Sequence, residues 1–220
     1  MAQSVNLKPF YVALAVMAVA GGVWIMTAAG GKTVTIPEMS TGSAFPGYTL
    51  GSDSAKVEII EYADFQCPAC AMFTILTSPD VKSRLVNTGR VRWTFRDFPL
   101  AMHPKAPMAH LAAACAGDQG QFWAMHDQLF YNQGAWVQGR ARKLIDGFAR
   151  GIGLEISEFK RCMSDQRHVD RIAATRNAGQ QLGVSSTPTF IIGDQLVAGS
   201  ISIDQFIRLV ERAERAAEQQ

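Results

Sequence analysis

The sequence has few charged residues and lacks any long block of one charge. Only 18% of its 220 residues are charged, and 21 basic residues nearly balance 19 acidic ones, for a formal net charge of +2. No run of five or more basic residues occurs, so nucleic acid is not an expected partner. Internal repeats and low-complexity tracts are also absent. With 48% hydrophobic residues the chain can bury a full core, which argues against a disordered protein.

Cysteine is scarce, and its spacing argues against two kinds of metal site. The 4 cysteines comprise a Cys-x-x-Cys pair, Cys67 and Cys70, and two solitary residues, Cys115 and Cys162. A zinc knuckle needs a second closely spaced ligand pair, which the solitary cysteines do not supply. A c-type haem needs histidine directly after the second cysteine, and that position is Ala71. The histidines form no HxH or HExxH spacing, so we expect no metal and no organic cofactor.

The Cys67–Cys70 pair stands where a predicted strand is followed by a predicted helix. The apolar run of residues 57–62 precedes the pair, and residues 71–76 have a composition compatible with a helix. Pro68 is well tolerated in the first turn of a helix, where its missing N–H would have no partner. At positions i and i+3 the two sulfurs share one helix face, with Cα atoms about 5–6 Å apart, within the range of a disulfide.

This placement indicates redox chemistry. Unpaired N–H groups and the positive end of the helix dipole favour the thiolate of Cys67, which is the attacking species. Cys67 is therefore the expected nucleophile, exposed to solvent, and Cys70, one turn deeper, is the expected resolving thiol. A structural disulfide or a pair of buried thiols is the alternative that the motif alone leaves open. Glu61, in the predicted buried strand, is expected to have a partner or to transfer protons near Cys70, because burying a lone carboxylate is costly.

Two stretches of the chain, residues 57–70 and residues 186–190, resemble the DsbA-like branch of the thioredoxin superfamily. The resemblance covers about residues 50–215 and implies an α/β, thioredoxin-like fold with an all-helical insertion. The family's strongest oxidants have Pro-His between the cysteines, whereas this chain has Pro68 and Ala69. The resemblance therefore implies the chemistry of the family but leaves the oxidising strength open.

The same resemblance implies roles for three further residues. Pro188 corresponds to a proline that is cis and packs against the cysteines. Thr187 corresponds to the residue before it, whose backbone pairs with a bound substrate strand. Glu61 corresponds to a partly buried acid behind the cysteines.

The chain divides into three expected parts. Residues 1–32 contain an uncharged apolar segment, residues 9–31, which is long enough to cross a hydrocarbon core of about 30 Å. We expect an uncleaved membrane anchor, with cleavage as a signal peptide after the small residues 27–29 as the alternative. Residues 33–50 are expected to form an irregular linker, because they are rich in proline, glycine, serine and threonine.

The remaining residues, 51–215, are expected to form the DsbA-like domain. Strands are predicted at residues 57–62 and 90–95, joined by a helical crossover that breaks near residues 78–79. Apolar residues at helical spacing, interrupted by glycines, predict an all-helical insertion at about residues 104–184. A hairpin and an amphipathic final helix follow.

Cys115 and Cys162 are expected to form a second, structural disulfide within the helical insertion. An exported protein seldom leaves two thiols free beside a catalytic disulfide with which they could exchange. Two buried, inert thiols are the alternative.

These observations predict a thiol:disulfide oxidoreductase that forms disulfides in exported, cysteine-containing polypeptides. The domain is expected outside the cytoplasm, in the periplasm or at the cell surface, or secreted if the N-terminal segment is cleaved. A quinone-linked membrane oxidant is the expected redox partner. A reductase or isomerase, supplied by a membrane reductant and serving cytochrome or copper-site thiols, is one alternative. A membrane-anchored binding or chaperone module with a merely structural disulfide is the other.

Overall fold

A computed structural model describes residues 32–33 and 45–219 of the chain. The chain divides into two compact units, residues 1–32 and 33–220. The expected membrane anchor, residues 9–31, and most of the expected linker lie outside the described residues. Among the residues that are described, no helix is both long and apolar enough to span a membrane.

A mixed sheet forms the centre of the described domain. Its strands are β1 (Lys32–Thr33), β2 (Tyr48–Leu50), β3 (Val57–Ala63), β4 (Val91–Asp97), β5 (Thr189–Ile192) and β6 (Gln195–Ala198). They take the order β1-β6-β5-β3-β4-β2. Strand β3 pairs parallel with β4 and antiparallel with β5, and β5 pairs antiparallel with β6. The parallel pair requires a crossover connection, which the helices after β3 provide.

The sheet begins earlier than the sequence analysis expected. Residues 48–50 were predicted to belong to the linker, but they form strand β2, which pairs antiparallel with β4 so that Tyr48 faces Phe95. The ring of Tyr48 stacks on Phe122, with ring centroids 3.4 Å apart. A contact with a helix more than seventy positions away in the chain thus stabilises this strand. Three residues are too few to show the alternation of apolar and polar side chains that predicts a strand.

Helices fill the crossover, the insertion and the end of the domain. In the crossover are α1 (Pro68–Leu76), α2 (Ser78–Val81) and a π-helical turn (Lys82–Val86). Between β4 and β5 lie α3 (Ala106–Gly117), α4 (Phe122–Tyr131), α5 (Gln133–Gln138), α6 (Ala141–Gly151), α7 (Ile156–Ser164) and α8 (Val169–Gln181). Helix α9 (Ile203–Ala217) follows the hairpin. The all-helical insertion and the break of the crossover near residues 78–79 are therefore confirmed.

The core lies on both faces of the central strand β3. On one face, Ile59 packs in a cluster with Phe73 of α1 and with Phe206 and Val210 of α9. On the other face, Tyr62 packs in a smaller cluster. The helices of the insertion form a further cluster around the loop after β3. Each such fully buried apolar side chain stabilises the fold by about 1.5–3 kcal/mol. The insertion cluster thus surrounds the carboxyl end of β3, where the cysteine pair begins.

Candidate redox site

The cysteine pair stands at the junction between β3 and α1. Cys67 is the N-cap residue of α1, with an extended backbone (φ −72°, ψ 121°), and Pro68 occupies the first turn. The carbonyl of Cys67 accepts the first helical hydrogen bond, from the N–H of Ala71 at 3.2 Å. Pro68 is exposed, whereas Cys70 is fully buried. This arrangement aims the start of the helix at the Cys67 sulfur. Cys67 was expected to be exposed, but it is only 6% exposed, because it packs in the cluster of the insertion.

The two thiols differ in acidity. A hydrogen bond from the Cys70 thiol, with smaller contributions from the backbone N–H groups of Cys70 and Ala69, lowers the pKa of Cys67 to about 6 despite burial. Burial and the neighbouring Cys67 raise the pKa of Cys70 well above its usual value. Cys67 is therefore mainly a thiolate at neutral pH, and Cys70 is a neutral thiol that can donate to it.

The cis-proline loop completes the site from the other end of the domain. The Thr187–Pro188 bond is cis, as the resemblance implied. The carbonyl oxygen of Thr187 lies 3.3 Å from the Cys67 sulfur and accepts a hydrogen bond from it when Cys67 is protonated. Thr187 and Pro188 are both buried and lead directly into strand β5. The fold thus brings together two segments that are 120 residues apart in the sequence.

Glu61 lies in β3 and is 0% exposed. The indole Nε1 of Trp93 donates a 3.1 Å hydrogen bond to Oε2, while Oε1 has no hydrogen-bond partner among the described residues. Burial raises the pKa of Glu61 to about 8, and the hydrogen bond from Trp93 offsets only part of that rise. Its charge is also among the causes that raise the pKa of Cys70. Glu61 is thus a carboxyl group that is protonated at neutral pH and is electrostatically coupled to the buried cysteine.

Asp64 organises the loop that carries Cys67, and the sequence analysis gave it no role. This buried carboxylate accepts from the N–H of Gln66 at 2.6 Å and from the N–H of Leu100 at 2.7 Å. The Nδ1 of His103 lies 2.8 Å from Asp64 Oδ2, the oxygen that also accepts from Leu100. The loop after β4 is thereby attached to the loop after β3. Asp64 directly follows a buried strand, and this position is the one sequence signal that could have indicated its role.

Gln133 is a second residue without an expected role. Its Nε2 donates to the carbonyl of Phe65 at 2.8 Å and to the carbonyl of Cys67 at 2.9 Å. Helix α5 of the insertion therefore holds the backbone of the nucleophile directly. The sequence offers no signal for this contact, because Gln133 lies 66 positions from Cys67.

A profile for the family described as Thioredoxin matches residues 44–212. The chain belongs to this family. Among solved structures, the family member is similar to alpha-DsbA1 of Wolbachia pipientis, with a TM-score of 0.69 and 22% identity over 84% of this chain and 94% of the other. It is also similar to BdbD of Bacillus subtilis, with a TM-score of 0.70 and 20% identity over 84% of this chain and 97% of the other. These likenesses establish a thioredoxin fold of the DsbA type.

Curated relatives of this thioredoxin-family chain are longer proteins. The chain is 35% identical over 167 residues to the Na(+)/H(+) antiporter NhaA 1 of Salinispora arenicola, an alignment that covers 76% of this chain and 24% of the antiporter. It is 27% identical over 143 residues to a Rickettsia bellii protein provisionally named a protein-disulfide oxidoreductase, covering 64% of this chain and 52% of that protein. The chain therefore spans between about a quarter and about half of the length of these relatives.

Several exposed side chains of this thioredoxin-family domain, in the helix that carries Cys70 and in the loop after β4, are large and apolar. Met72, Ile75 and Leu76 of α1 are exposed, and so is Met102 in the loop that Asp64 holds. Flexible and polarisable methionine side chains suit a surface that accepts varied apolar partners. The Ser200 hydroxyl donates to the carbonyl of Ala69 at 3.1 Å, which fixes the residue between the cysteines on this surface.

Cys115 and Cys162 form a disulfide between α3 and α7, with an S–S distance of 1.96 Å and Cα atoms 5.8 Å apart. Both residues are buried. A ring nitrogen of His168 and the two sulfurs lie within 4.8 Å of one another. Among the described residues this is the one group of three side chains that could together bind a metal ion. The sulfurs are bonded to each other, so the oxidised pair offers no thiolate to a metal.

Proposed function

We propose that this chain is a thiol:disulfide oxidoreductase that forms disulfides in exported polypeptides through Cys67 and Cys70. The observation that carries the proposal is the unequal pair at the start of α1. One sulfur has a pKa of about 6, and its partner one turn deeper has a pKa well above the usual value. A purely structural disulfide requires no such difference between its two thiols.

The reaction begins with the oxidised Cys67–Cys70 disulfide. A substrate thiolate attacks the Cys67 sulfur, the S–S bond breaks, and Cys70 leaves as the thiolate. A mixed disulfide then joins Cys67 to the substrate. A second substrate thiolate attacks the substrate sulfur of that bond, Cys67 leaves as a thiolate stabilised by its low pKa, and the substrate is oxidised by two electrons.

Glu61 is proposed to manage the proton of Cys70. Cys70 leaves the disulfide as a thiolate in a buried place where its charge is strongly disfavoured. A carboxyl group with a pKa of about 8 holds a proton at neutral pH and is coupled electrostatically to Cys70. It can therefore supply a proton to the leaving thiolate and take it back when the disulfide reforms.

Substrate binding is proposed at the cis-proline loop and the apolar surface beside it. The carbonyl of Thr187, which faces the Cys67 sulfur, can accept from the backbone of an extended substrate strand. Pro188 holds this backbone in place. The exposed Met72, Leu76 and Met102 would contact apolar side chains that flank the substrate cysteine.

The surroundings of the enzyme form part of the proposal. Residues 9–31 would anchor the chain in the membrane, residues 34–47 would lie between strands β1 and β2 as a linker, and the domain would work outside the cytoplasm. The apolar length of residues 9–31 supports the anchor, and the second disulfide supports an oxidising compartment. A quinone-linked membrane oxidant would restore the Cys67–Cys70 disulfide after each cycle.

A reductase or isomerase is the second candidate. The observation that favours it is Ala69, which stands where the strongest oxidants of the family have histidine. The same residues would then act in reverse: the Cys67 thiolate attacks a substrate disulfide, and Cys70 resolves the mixed disulfide. A membrane reductant would replace the oxidant as partner.

The experiment is a single-turnover reaction between the purified, oxidised protein and a synthetic peptide with two cysteines. We expect one peptide disulfide for each Cys67–Cys70 disulfide consumed. Cys67→Ser should abolish the reaction, while a double replacement of Cys115 and Cys162 by alanine should retain it. Equal peptide oxidation by Cys67→Ser would show that the reaction does not pass through Cys67, and absence of oxidation by the parent would favour a non-catalytic module. Equilibration of the Cys67–Cys70 couple with glutathione then separates an oxidase, which stays mainly reduced in mixed buffers, from a reductase, which stays mainly oxidised.

A further inference from the structure

We propose that, when the Cys115–Cys162 disulfide is reduced, the two cysteines bind one Zn²⁺ ion together with His168 and Asp118. The sequence argued against zinc because Cys115 and Cys162 are solitary. The fold removes that objection, because α3, α7 and the start of α8 place both sulfurs and the imidazole within 4.8 Å of one another. The proposal is independent of the redox reaction at Cys67.

The fourth ligand is supplied at the end of α3. Asp118 Oδ2 lies 3.7 Å from the Cys162 sulfur and 3.0 Å from His168 Nε2. Two thiolates, one imidazole and one carboxylate are all ligands that zinc accepts, and four ligands complete its preferred tetrahedron. The four side chains therefore form a set of suitable chemistry and number, brought together by contacts that already exist in the oxidised protein.

Reduction moves the sulfurs toward the spacing that zinc needs. Two sulfurs bound to one zinc ion at about 2.3 Å each are about 3.8 Å apart in a tetrahedral site. Two sulfurs that are no longer bonded must separate to a similar distance, because closer approach is repulsive. The other distances in the cluster, 3.0 Å and 3.7 Å, lie close to the edges of such a tetrahedron. Asp118 lies outside the set of atoms within 4.8 Å of one another, so the site also requires its carboxylate to rotate toward the two sulfurs.

A dithiol can reduce the Cys115–Cys162 disulfide. Thiol–disulfide exchange passes two electrons from the dithiol to the Cys115–Cys162 bond, so the dithiol becomes a disulfide and both cysteines become thiols. Zn²⁺ then displaces one proton from each thiol and binds the two thiolates. The thiolates and Asp118 bring three negative charges. Zn²⁺ compensates two of them, and Arg167 pairs with Asp118 at 3.0 Å. Arg167 also pairs with Glu158, whose charge Arg161 balances.

The site has a path from solvent. The side chains of Asp118 and His168 are 30% and 16% exposed, whereas both cysteines are buried. An ion can therefore meet the carboxylate and the imidazole first and then the thiolates behind them. In the oxidised protein this path ends at a disulfide, which offers no thiolate, so zinc binding reports the redox state of the pair.

The test uses a Cys67→Ser/Cys70→Ser protein, so that neither zinc binding by the other cysteine pair nor the proposed oxidoreductase activity affects the result. The protein is reduced with a phosphine, freed of reductant without oxygen, and titrated with Zn²⁺ against a chromogenic chelator. We expect one Zn²⁺ for each reduced chain and none for the oxidised chain. His168→Ala should weaken zinc binding at least tenfold, and so should Asp118→Asn, whereas Asp165→Asn, at an exposed acid outside the cluster, should leave it unchanged.

Thermal unfolding of the same reduced proteins provides a second measurement. Zn²⁺ should raise the Tm of the reduced parent, or restore its fold if reduction has disrupted it, and the same zinc concentration should have a smaller effect on His168→Ala. The proposal is overturned if the reduced parent binds no zinc, if it binds zinc equally well after His168→Ala, or if the oxidised protein binds equally. It is also overturned if zinc leaves the Tm of the reduced parent unchanged.

Discussion

The side-chain amide of Gln133 donates a 2.9 Å hydrogen bond to the carbonyl oxygen of Cys67. A second hydrogen bond, of 2.8 Å, runs from the same nitrogen to the carbonyl of Phe65. These two bonds connect the helical insertion to the backbone of Cys67 and of the loop before it. The insertion thus contributes to the geometry of the cysteine pair as well as covering one face of the sheet.

Replacing Gln133 with alanine should loosen the loop that carries Cys67. Both carbonyls lose a donor that offsets their partial negative charge near the Cys67 sulfur, so the thiolate should become less favourable and its pKa should rise. The free energy of unfolding should fall by about 1–3 kcal/mol for the two hydrogen bonds. Thiolate absorbance near 240 nm and urea unfolding measure the two effects. Gln138→Ala, at an exposed glutamine on the same helix, is the matched control and should change neither; equal effects in both variants would contradict a specific role.

The reduced protein should be alkylated first at Cys67. Its pKa of about 6 makes it mainly thiolate at pH 7, whereas the pKa of the buried Cys70 is raised. The rate of alkylation at Cys67 should therefore rise from pH 5 to pH 7 and level off above it. Peptide mapping after a short exposure to iodoacetamide identifies the labelled residue. Faster labelling of Cys70, or a rate that still rises steeply above pH 8, would refute the roles given to the two cysteines.

Glu61→Gln should change how stability depends on pH. The carboxyl titrates at a pKa of about 8 in the folded protein and at an ordinary value of 4.5 when unfolded. Between these values the folded protein binds one proton more than the unfolded chain, so this group destabilises the fold by about 1.4 kcal/mol for each pH unit of rise. Its stabilising effect is complete below pH 4.5 and is lost as the pH rises through 8.

The measurement for Glu61 is urea unfolding of the oxidised protein at several pH values from 5 to 8. Glutamine keeps an acceptor for Trp93 but does not titrate, so the variant should lose less stability over this range than the parent. Glu58→Gln, at a neighbouring position of the same strand that is partly exposed, serves as the control. Parallel curves for Glu61→Gln and the parent would show that Glu61 is not a buried acid with a raised pKa.

Removing the second disulfide should cost stability and leave the redox reaction intact. The bridge closes a loop of 47 positions, and the chain-entropy relation gives about 4 kcal/mol for a loop of this length, an upper figure. The double replacement of Cys115 and Cys162 by alanine should therefore lower the free energy of unfolding by up to this amount. Non-reducing peptide mapping of the parent should recover the two residues in one linked peptide. Recovery as two separately alkylated peptides would eliminate the bridge.

Sequence reasoning was most successful where chemistry or periodicity is local. The Cys-x-x-Cys pair, the strand before it and the helix after it all lie within about twenty residues, and the structure places each where the pattern indicated. The helical spacing of the insertion was likewise clear, although helix α5 (Gln133–Gln138) escaped notice because it spans less than two turns.

Contacts between distant segments could not be predicted in the same way. Strand β2 is only three residues long and depends on Phe122, and the bond between His103 and Asp64 joins residues 39 positions apart. Such contacts depend on how the helices pack on the sheet, and no periodicity in the sequence encodes that packing. The cis-proline loop was anticipated only because its resemblance to a known family supplied the partner for the cysteine pair.

The central claim is that Cys67 exchanges disulfides with substrates and that Cys70 resolves them. The most direct measurement is trapping with Cys70→Ser, which lacks the resolving thiol, incubated at pH 7 with a peptide that contains a disulfide. The Cys67 thiolate should attack this disulfide, and a one-to-one mixed disulfide should accumulate, with mass spectrometry placing the peptide on Cys67. Cys67→Ser should form no such adduct. Absence of the adduct in Cys70→Ser, or its location on any residue other than Cys67, would contradict the account.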